Sequence, residues 1–337
     1  RLYFGVCIIL PLFTLFFMAT IFGNGQMENI PIGIVDQDNT ASSRAIARNI
    51  SAVPTFKVTR HFVNEEAARK AVQKKEIYGY LSIPPKFEQD AISGKNATLS
   101  YYYHYALLSV GGELMAAFET SLAPVSLSPI VMQAVALGVE QDKITTFLLP
   151  VQASNHPIYN PSLDYSVYLS QPFFFVLFQV LILLITVYAV GIEIKFRTAD
   201  EWLFVAKGNM VTAVLGKLLP YTIIFILIGW LANYVMFGIL HIPFQGSWLL
   251  MNMLTALFVV ATQALGLFLF SLFPAISLII SIVSMVGSLG ATLSGVTFPV
   301  TNMYPLVRDA SYLFPVRHFT EMMQNMLYGG SGFIYLW

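Results

Sequence analysis

Apolar residues gather in five unbroken runs, at 2–22, 172–192, 218–240, 248–273 and 276–298, and a long stretch of mixed polarity separates the first from the second. Each run is close to the ~20 residues that a helix needs to cross ~30 Å of hydrocarbon. The pattern predicts a polytopic α-helical membrane protein with five transmembrane helices and an inserted α/β domain outside the cytoplasm. A secretory signal peptide is the alternative for the first run, but that run exceeds the ~7–15 apolar residues of such a peptide and no small-x-small pattern follows Phe22. Pro11 does not object, because neighbouring helices can satisfy the carbonyl it frees.

Within the insert the period changes. Pro31-Ile-Gly-Ile-Val35 reads as a short buried strand, followed by a turn at Asp36 and Asp38 and a helical segment over 42–50. Strands are predicted at 56–60, 78–83 and 97–103, and helices at 64–75 and 85–92. Asn64 with Glu65 and Glu66 makes an N-cap with acid in the first turn, and Pro84-Pro85 opens the next helix. From 106 to about 147 the pattern predicts long amphipathic helices lying on or above the membrane, broken near Pro124 and Pro129, with Glu113 and Glu119 interrupting the apolar face.

Composition sharpens this picture: 56% of residues are hydrophobic and 11% charged, with a mean hydropathy of +0.68. Of the 18 Lys and Arg, 11 fall in the insert between Asn24 and Asn160, as do 12 of the 18 Asp and Glu, so the insert is the solvated part. Elsewhere Arg1, Lys195, Arg197, Lys207 and Lys217 flank the first run and the loop between the second and third, whereas 241–247 has no Lys or Arg. The positive-inside rule puts Arg1 and the 193–217 loop in the cytoplasm, and the insert, the 241–247 loop and the tail after Phe298 outside. Arg308 and Arg317 in that tail run against the rule.

Catalytic chemistry is missing. No Gly-x-x-x-x-Gly-Lys-Ser/Thr loop occurs, so nucleotide is not bound by that route. His61, His104, His156, His241, His318 and the single Cys7 have no metal-ligand spacing. Asp36 and Asp38 read as a capped turn rather than a cation site, and Asn96-Ala97-Thr98 is a glycosylation pattern too short to weigh. No cofactor or metal is expected on this chain, and no nucleic acid.

The apolar runs hold no acid or base at mid-depth, which disfavours a proton- or ion-coupled pump. Their polar groups are amides, Gln179, Asn233, Asn252 and Gln263, read either as interhelical glue or as a wall that touches substrate. Gly287, Ala291 and Gly295 leave one face of the fifth helix almost bare, for close packing within the chain or across a dimer seam. Between helices two and three, acidic, basic and aromatic residues alternate from Glu193 to Asn209, with Trp202, Leu203 and Phe204 beside Asp200 and Glu201. Such a segment fits an interfacial helix offering aromatic anchors to a cytoplasmic partner, or one lying on lipid.

The Glu193, Thr198, Glu201 spacing followed by Gly216-Lys217-Leu218-Leu219-Pro220-Tyr221 resembles the cytoplasmic loop of ABC-2 type permeases, the multidrug exporter group. So do Pro31 to Asp38 with Ser43-Arg44, Asn160-Pro161, Gly295-Val-Thr-Phe-Pro299 and Phe314-Pro315-Val-Arg317-His-Phe319; the resemblance covers essentially the whole chain. It implies a six-helix half-transporter of the bacterial inner membrane that pairs with a second permease copy or paralogue and with two ATP-binding subunits, which carry the ATP and Mg. Segment 193–206 would be the coupling helix, with Glu193, Arg197, Thr198, Glu201, Trp202 and Lys217 as coupling residues. Residues 299 to about 332, including Pro299, Pro315 and Arg317, would form re-entrant helices before a sixth helix that the sequence cuts off after Trp337. The implied layout is helix one at 1–23, the outer domain at 24–165, helices two to five at 166–298 and the re-entrant part at 299–337.

On this reading ATP-driven closure of the partners moves the coupling segment and expels an apolar or amphipathic cargo, a drug or lipid-like molecule, along helices two and five. A periplasmic adaptor, an outer-membrane channel and membrane lipids are further expected partners. Two alternatives stand: a membrane-anchored envelope interaction protein that moves nothing, and an exporter of ions such as sodium with the same architecture.

Overall fold

The computed structural model describes residues 5–21, 25, 27–93, 98–136, 164 and 166–328. The expectations placed on Arg1, Asn96-Ala97, 137–147, Asn160-Pro161 and the start of a sixth helix at 329–337 lie outside the described residues. The chain divides into two compact units, Gln26–His156 and a second made of Arg1–Gly25 with Pro157–Trp337.

In the first unit four strands form a sheet in the order β2-β1-β3-β4: β1 (Ile30–Asp36), β2 (Phe56–Phe62), β3 (Gly79–Ile83) and β4 (Ser100–Tyr103). β1 runs parallel to both β2 and β3, and β4 is antiparallel to β3. A parallel strand flanked on both sides is covered on both faces, which is why Ile32, Ile34 and Val35 of β1 are all fully buried and its sequence does not alternate. One face packs Ile46 and Ile50 of α2 (Ala41–Ser51), Phe87 of α4 (Phe87–Ile92) and Leu114 and Phe118 of α5 (Leu108–Ala136) against Ile30, Ile32, Leu81 and Ile83. The other packs Ala68 and Ala71 of α3 (Glu65–Gln73) against Val35, Ile77 and Tyr80.

Local chemistry sets the helix starts. Thr40 and Ser43 form a capping box at α2, and Asn64 Oδ1 accepts from the Ala67 amide, 2.9 Å away, at α3. The two aspartates behave as a capped turn: Asp36 accepts from the Asp38 and Asn39 amides at 3.0 Å, and Asp38 Oδ2 accepts from Thr40 Oγ1 at 2.6 Å and the Glu88 amide at 3.1 Å. Among the described residues no His, Cys, Asp or Glu cluster could hold a metal ion. Two expectations fail. α4 starts at Phe87, because Lys86 before it takes a left-handed conformation (φ 64°), and α5 runs unbroken past Pro124 and Pro129. Each of those prolines removes its own amide donor and crowds the carbonyl four residues earlier, yet the helix continues through both.

The second unit is a helical bundle. It contains α1 (Leu10–Ile21), α6 (Gln171–Lys195), α7 (Ala199–Val205), α8 (Met210–Asn233), α9 (Trp248–Leu272), α10 (Ile276–Leu293), α11 (Pro305–Ser311) and α12 (Pro315–Tyr328). π-helical turns precede α1 and α6 and follow α8. Among the described residues four helical segments are long and apolar enough to cross a bilayer, Ser166–Lys195, Met210–Ile239, Trp248–Leu272 and Ile276–Leu293, and the described part of the first apolar helix, Cys7–Ile21, is shorter.

α6 is the axis of the bundle. In its most apolar stretch 72% of residues are buried inside the protein, against 22% for the segments of α8 and α10. Phe175 of α6 meets Phe258 of α9 and Phe319 of α12, with ring centroids 5.7 and 4.3 Å apart, and Phe178 meets Phe225 of α8 at 5.7 Å. Outward positions such as Ile223, Leu227, Leu257, Phe268 and Met285 are large, apolar and exposed, which suits a surface solvated by lipid.

Three helix ends differ from the apolar runs. α6 continues to Lys195, α8 begins at Met210 rather than near 218, and α10 stops at Leu293 rather than 298. Hydropathy marks the part of a helix that is apolar, whereas the ends follow capping: Asn209 Oδ1 accepts from the Thr212 amide at 3.1 Å and starts α8 two turns before the apolar run.

Candidate functional site: an elbow between two long helices

The turn between α6 and α8 is built from a few contacts. Arg197 takes φ 60°, which ends α6. The Thr198 amide then donates to the Glu193 carbonyl at 2.9 Å, and its hydroxyl donates to the Glu193 carboxylate. α7 follows, and Lys207 (φ 56°) with Gly208 (φ 77°) turns the chain to the Asn209 cap of α8. Two turns into α8, Lys217 forms an ion pair with Glu193 and lies over the Trp202 ring, its nitrogen 5.5 Å from the ring centroid. The side chains of Lys217 and Glu193 are only 20% and 17% exposed. The pair is therefore shielded, and α6, α7 and α8 are tied at one point.

Of the six residues expected to couple, Glu193, Thr198, Trp202 and Lys217 come together, while Arg197 and Glu201 lie on the exposed surface. The segment 193–206 is not one helix: Glu193 belongs to α6, Lys217 to α8, and only Ala199–Val205 forms α7, because the left-handed Arg197 interrupts the ladder. Trp202, expected as an outward anchor, packs against its own chain beside Leu183, Val187, Leu218 and Ile279. The apolar side chains that α7 presents outward are Phe204 and Val205, at 84% and 82% exposure. Val205 was absent from the expected anchors; its adjacency to Phe204 on a seven-residue helix is the signal that could have found it.

Amides within the apolar helices hold those helices together. Asn233 of α8 donates to Asn252 Oδ1 at 3.1 Å and to Thr255 Oγ1 at 2.9 Å, both on α9, and accepts from Gln171 Nε2 of α6 at 3.2 Å. Gln263 accepts from Thr222 at 2.7 Å, and Gln179 accepts from the Val316 amide at the start of α12 at 3.0 Å. Thr222, Thr255 and Gln171 complete these pairs. They are polar residues in or beside apolar runs, and only the fold shows which amide each one meets. Among the described residues Gln171 Oε1, Gln179 Nε2, Thr262 Oγ1 and Gln263 Nε2 are buried with no partner.

Two glycines on the bare face of the fifth helix approach α6 of the same chain. A Cβ on Gly287 would lie 2.8 Å from Val180 Cγ2, and one on Gly290 would lie 2.5 Å from Gln179 Nε2, so these glycines let α10 close on α6. Ala291 packs against the same core. Gly295 lies beyond the end of α10 in a turn, with φ 85°, and is not part of the helix face. Pro299 leads into a short 3-10 turn, Pro315 opens α12 and Arg317, two residues on, is buried.

Four spanning-length apolar helices, joined through amides and with no acid or base at mid-depth, define a multi-pass membrane protein. The chain matches the model of the ABC-2 family transporter protein over residues 2–337, and it belongs to that family. It is 21% identical over 331 residues to the inner membrane transport permease YhhJ of Escherichia coli (strain K12), across 93% of this chain and 80% of that protein. It is 26% identical over 139 residues to the probable multidrug ABC transporter permease YbhS of the same organism, across 40% of this chain and 36% of that protein. No solved structure is a significant match. ABC-2 permeases are membrane subunits of transporters, not themselves catalytic, and work with ATP-binding subunits.

Proposed function

We propose that this chain is the membrane-spanning permease subunit of an ATP-driven exporter that moves an apolar or amphipathic molecule out of the cytoplasm or the inner membrane. The observation that carries this is the elbow: an exposed apolar pair, Phe204 and Val205, stands on a short helix braced from behind by the Glu193–Lys217 ion pair and the Trp202 ring. α7 is the coupling helix, seated in a groove of a cytoplasmic ATP-binding subunit, with Asp200 and Glu201 setting its register. ATP and Mg reside on that partner, two copies of which serve two permease chains.

The bracing gives the elbow a mechanical role. A push on α7 reaches α6 through Glu193 and α8 through Lys217, and α6 is the helix on which α8, α9, α10 and α12 pack, so the displacement spreads through the bundle. Unit Gln26–His156 is the part assigned to the outer side of the membrane by the charge pattern of the loops, and it receives a periplasmic adaptor leading to an outer-membrane channel. Cargo passes along α6 and α10, whose contact through Gly287 and Gly290 is close enough to seal when the helices are together.

The test is the Phe204→Asp, Val205→Asp double variant with its ATP-binding subunit. Membrane insertion and yield are expected to match the wild type, while transport-linked ATP hydrolysis and export both fall on the order of tenfold or more. Undiminished export by that variant overturns the assignment.

A further inference from the structure

The end of the bundle away from α7 holds a cavity of about 740 Å³, lined among others by Tyr168, Thr301, Arg308, Tyr312, Arg317 and Gln324. Arg317 is the unusual member, since it is 4% exposed and among the described residues its Nε and Nη1 have no acceptor. Its remaining nitrogen, Nη2, is 3.5 Å from Glu321 Oε2, too far for a strong hydrogen bond, and that carboxylate is itself 59% exposed. The Tyr312 ring lies under the guanidinium at 4.1 Å and fixes its plane without accepting a proton.

A buried guanidinium with free donors is costly, and a hydrogen-bonded anion relieves that cost better than water does. The acids around the cavity, Asp309 and Glu321, are mostly exposed at 69% and 59%, so the shielded charge there is the cation. Tyr304, Leu306 and Leu313, on the same short segment as the lining residues Arg308 and Tyr312, are exposed at 76%, 74% and 73%. A buried cation next to an exposed apolar shelf is complementary to an anionic head on a hydrocarbon tail.

We propose that the cavity between the end of α10 and helices α11 and α12 is a binding site for a phosphate oxyanion, held by Arg317 with Arg308 at the rim. The site goes beyond the permease assignment and does not depend on it. The same oxyanion could come from a phospholipid head or from free phosphate, and the test separates these sources.

Full-length protein in detergent is titrated with phosphatidylglycerol, diacylglycerol or inorganic phosphate while thermal unfolding is followed. Stabilisation by phosphatidylglycerol but not diacylglycerol supports the site with a lipid head as its source, and stabilisation by inorganic phosphate alone supports it with the free ion as its source. Arg317→Met is expected to weaken binding on the order of tenfold or more. Glu321→Gln, at an exposed position, removes the competing carboxylate and is expected to tighten binding about two- to fivefold, which keeps the test decisive if Arg317→Met does not fold. The proposal is overturned if neither phosphate source stabilises, if diacylglycerol serves as well, if Arg317→Met binds normally, or if Glu321→Gln binds no more tightly. None of these readouts involves transport, so the result is separate from the fate of the permease assignment.

Discussion

At the scale of single residues, partners give each polar group its meaning. Lys217→Met strips Glu193 of its counter-ion in a site less than a quarter exposed, and the expected destabilisation is about 1–3 kcal/mol, between the values for exposed and fully buried pairs. Thermal unfolding in detergent reads this, and the Glu193→Gln, Lys217→Met pair is expected to lose less than the sum of the single variants. Glu113 on α5 gives a pH test, because burial pushes its carboxyl above the usual value. A raised folded-state value favours folding below the ordinary carboxylate range, and that contribution is lost as pH rises through the shifted value. Charged Glu113 therefore opposes folding near neutrality. Glu113→Gln is expected to raise the unfolding temperature at about pH 7 and to leave it nearly unchanged at about pH 4, as paired scans would show. The carboxylate was visible in the sequence as an interruption of an apolar face; its burial was not.

At the scale of elements, contact between α6 and α10 rests on missing side chains. Gly290→Leu drives a branched side chain into Gln179, whose other end holds the α12 amide, so α10 and α12 are displaced together. The expected cost is about 1–3 kcal/mol, measurable by unfolding. Export is expected to fall more steeply than stability, since two helices lose register with α6. The glycine spacing was legible in the sequence, yet which helix it faces was not, because a 3.6-residue period names a face and never its neighbour. Helix ends were the least legible part, since hydropathy reports lipid depth while ends at Arg197, Asn209 and Leu293 follow caps and left-handed residues.

At the scale of the whole molecule, the proposed topology puts the elbow and the sheet-bearing unit on opposite sides of the membrane. In a Cys7→Ser background expressed without its ATP-binding subunit, Val63→Cys is expected to react with an impermeant thiol reagent in cells whose outer membrane alone is opened, and Phe204→Cys only after the inner membrane is breached. These positions are 89% and 84% exposed, so accessibility within each unit does not limit the reaction. Labelling of both from the same side would remove the basis for the coupling role of α7.

The sequence by itself determined the apolar runs, the strand and helix positions around Asp36 and Asn64, the absence of a P-loop, and the motifs that match the ABC-2 family. Those are local properties: hydropathy, period and capping act within a few residues of chain. Only the tertiary structure decided that Trp202 turns inward while Phe204 and Val205 face out, that Glu193 meets Lys217, that Asn233 joins three helices, and that Arg317 is buried with donors to spare. Each of these depends on residues far apart in sequence being brought within a few ångströms, and packing, not pattern, sets which ones meet.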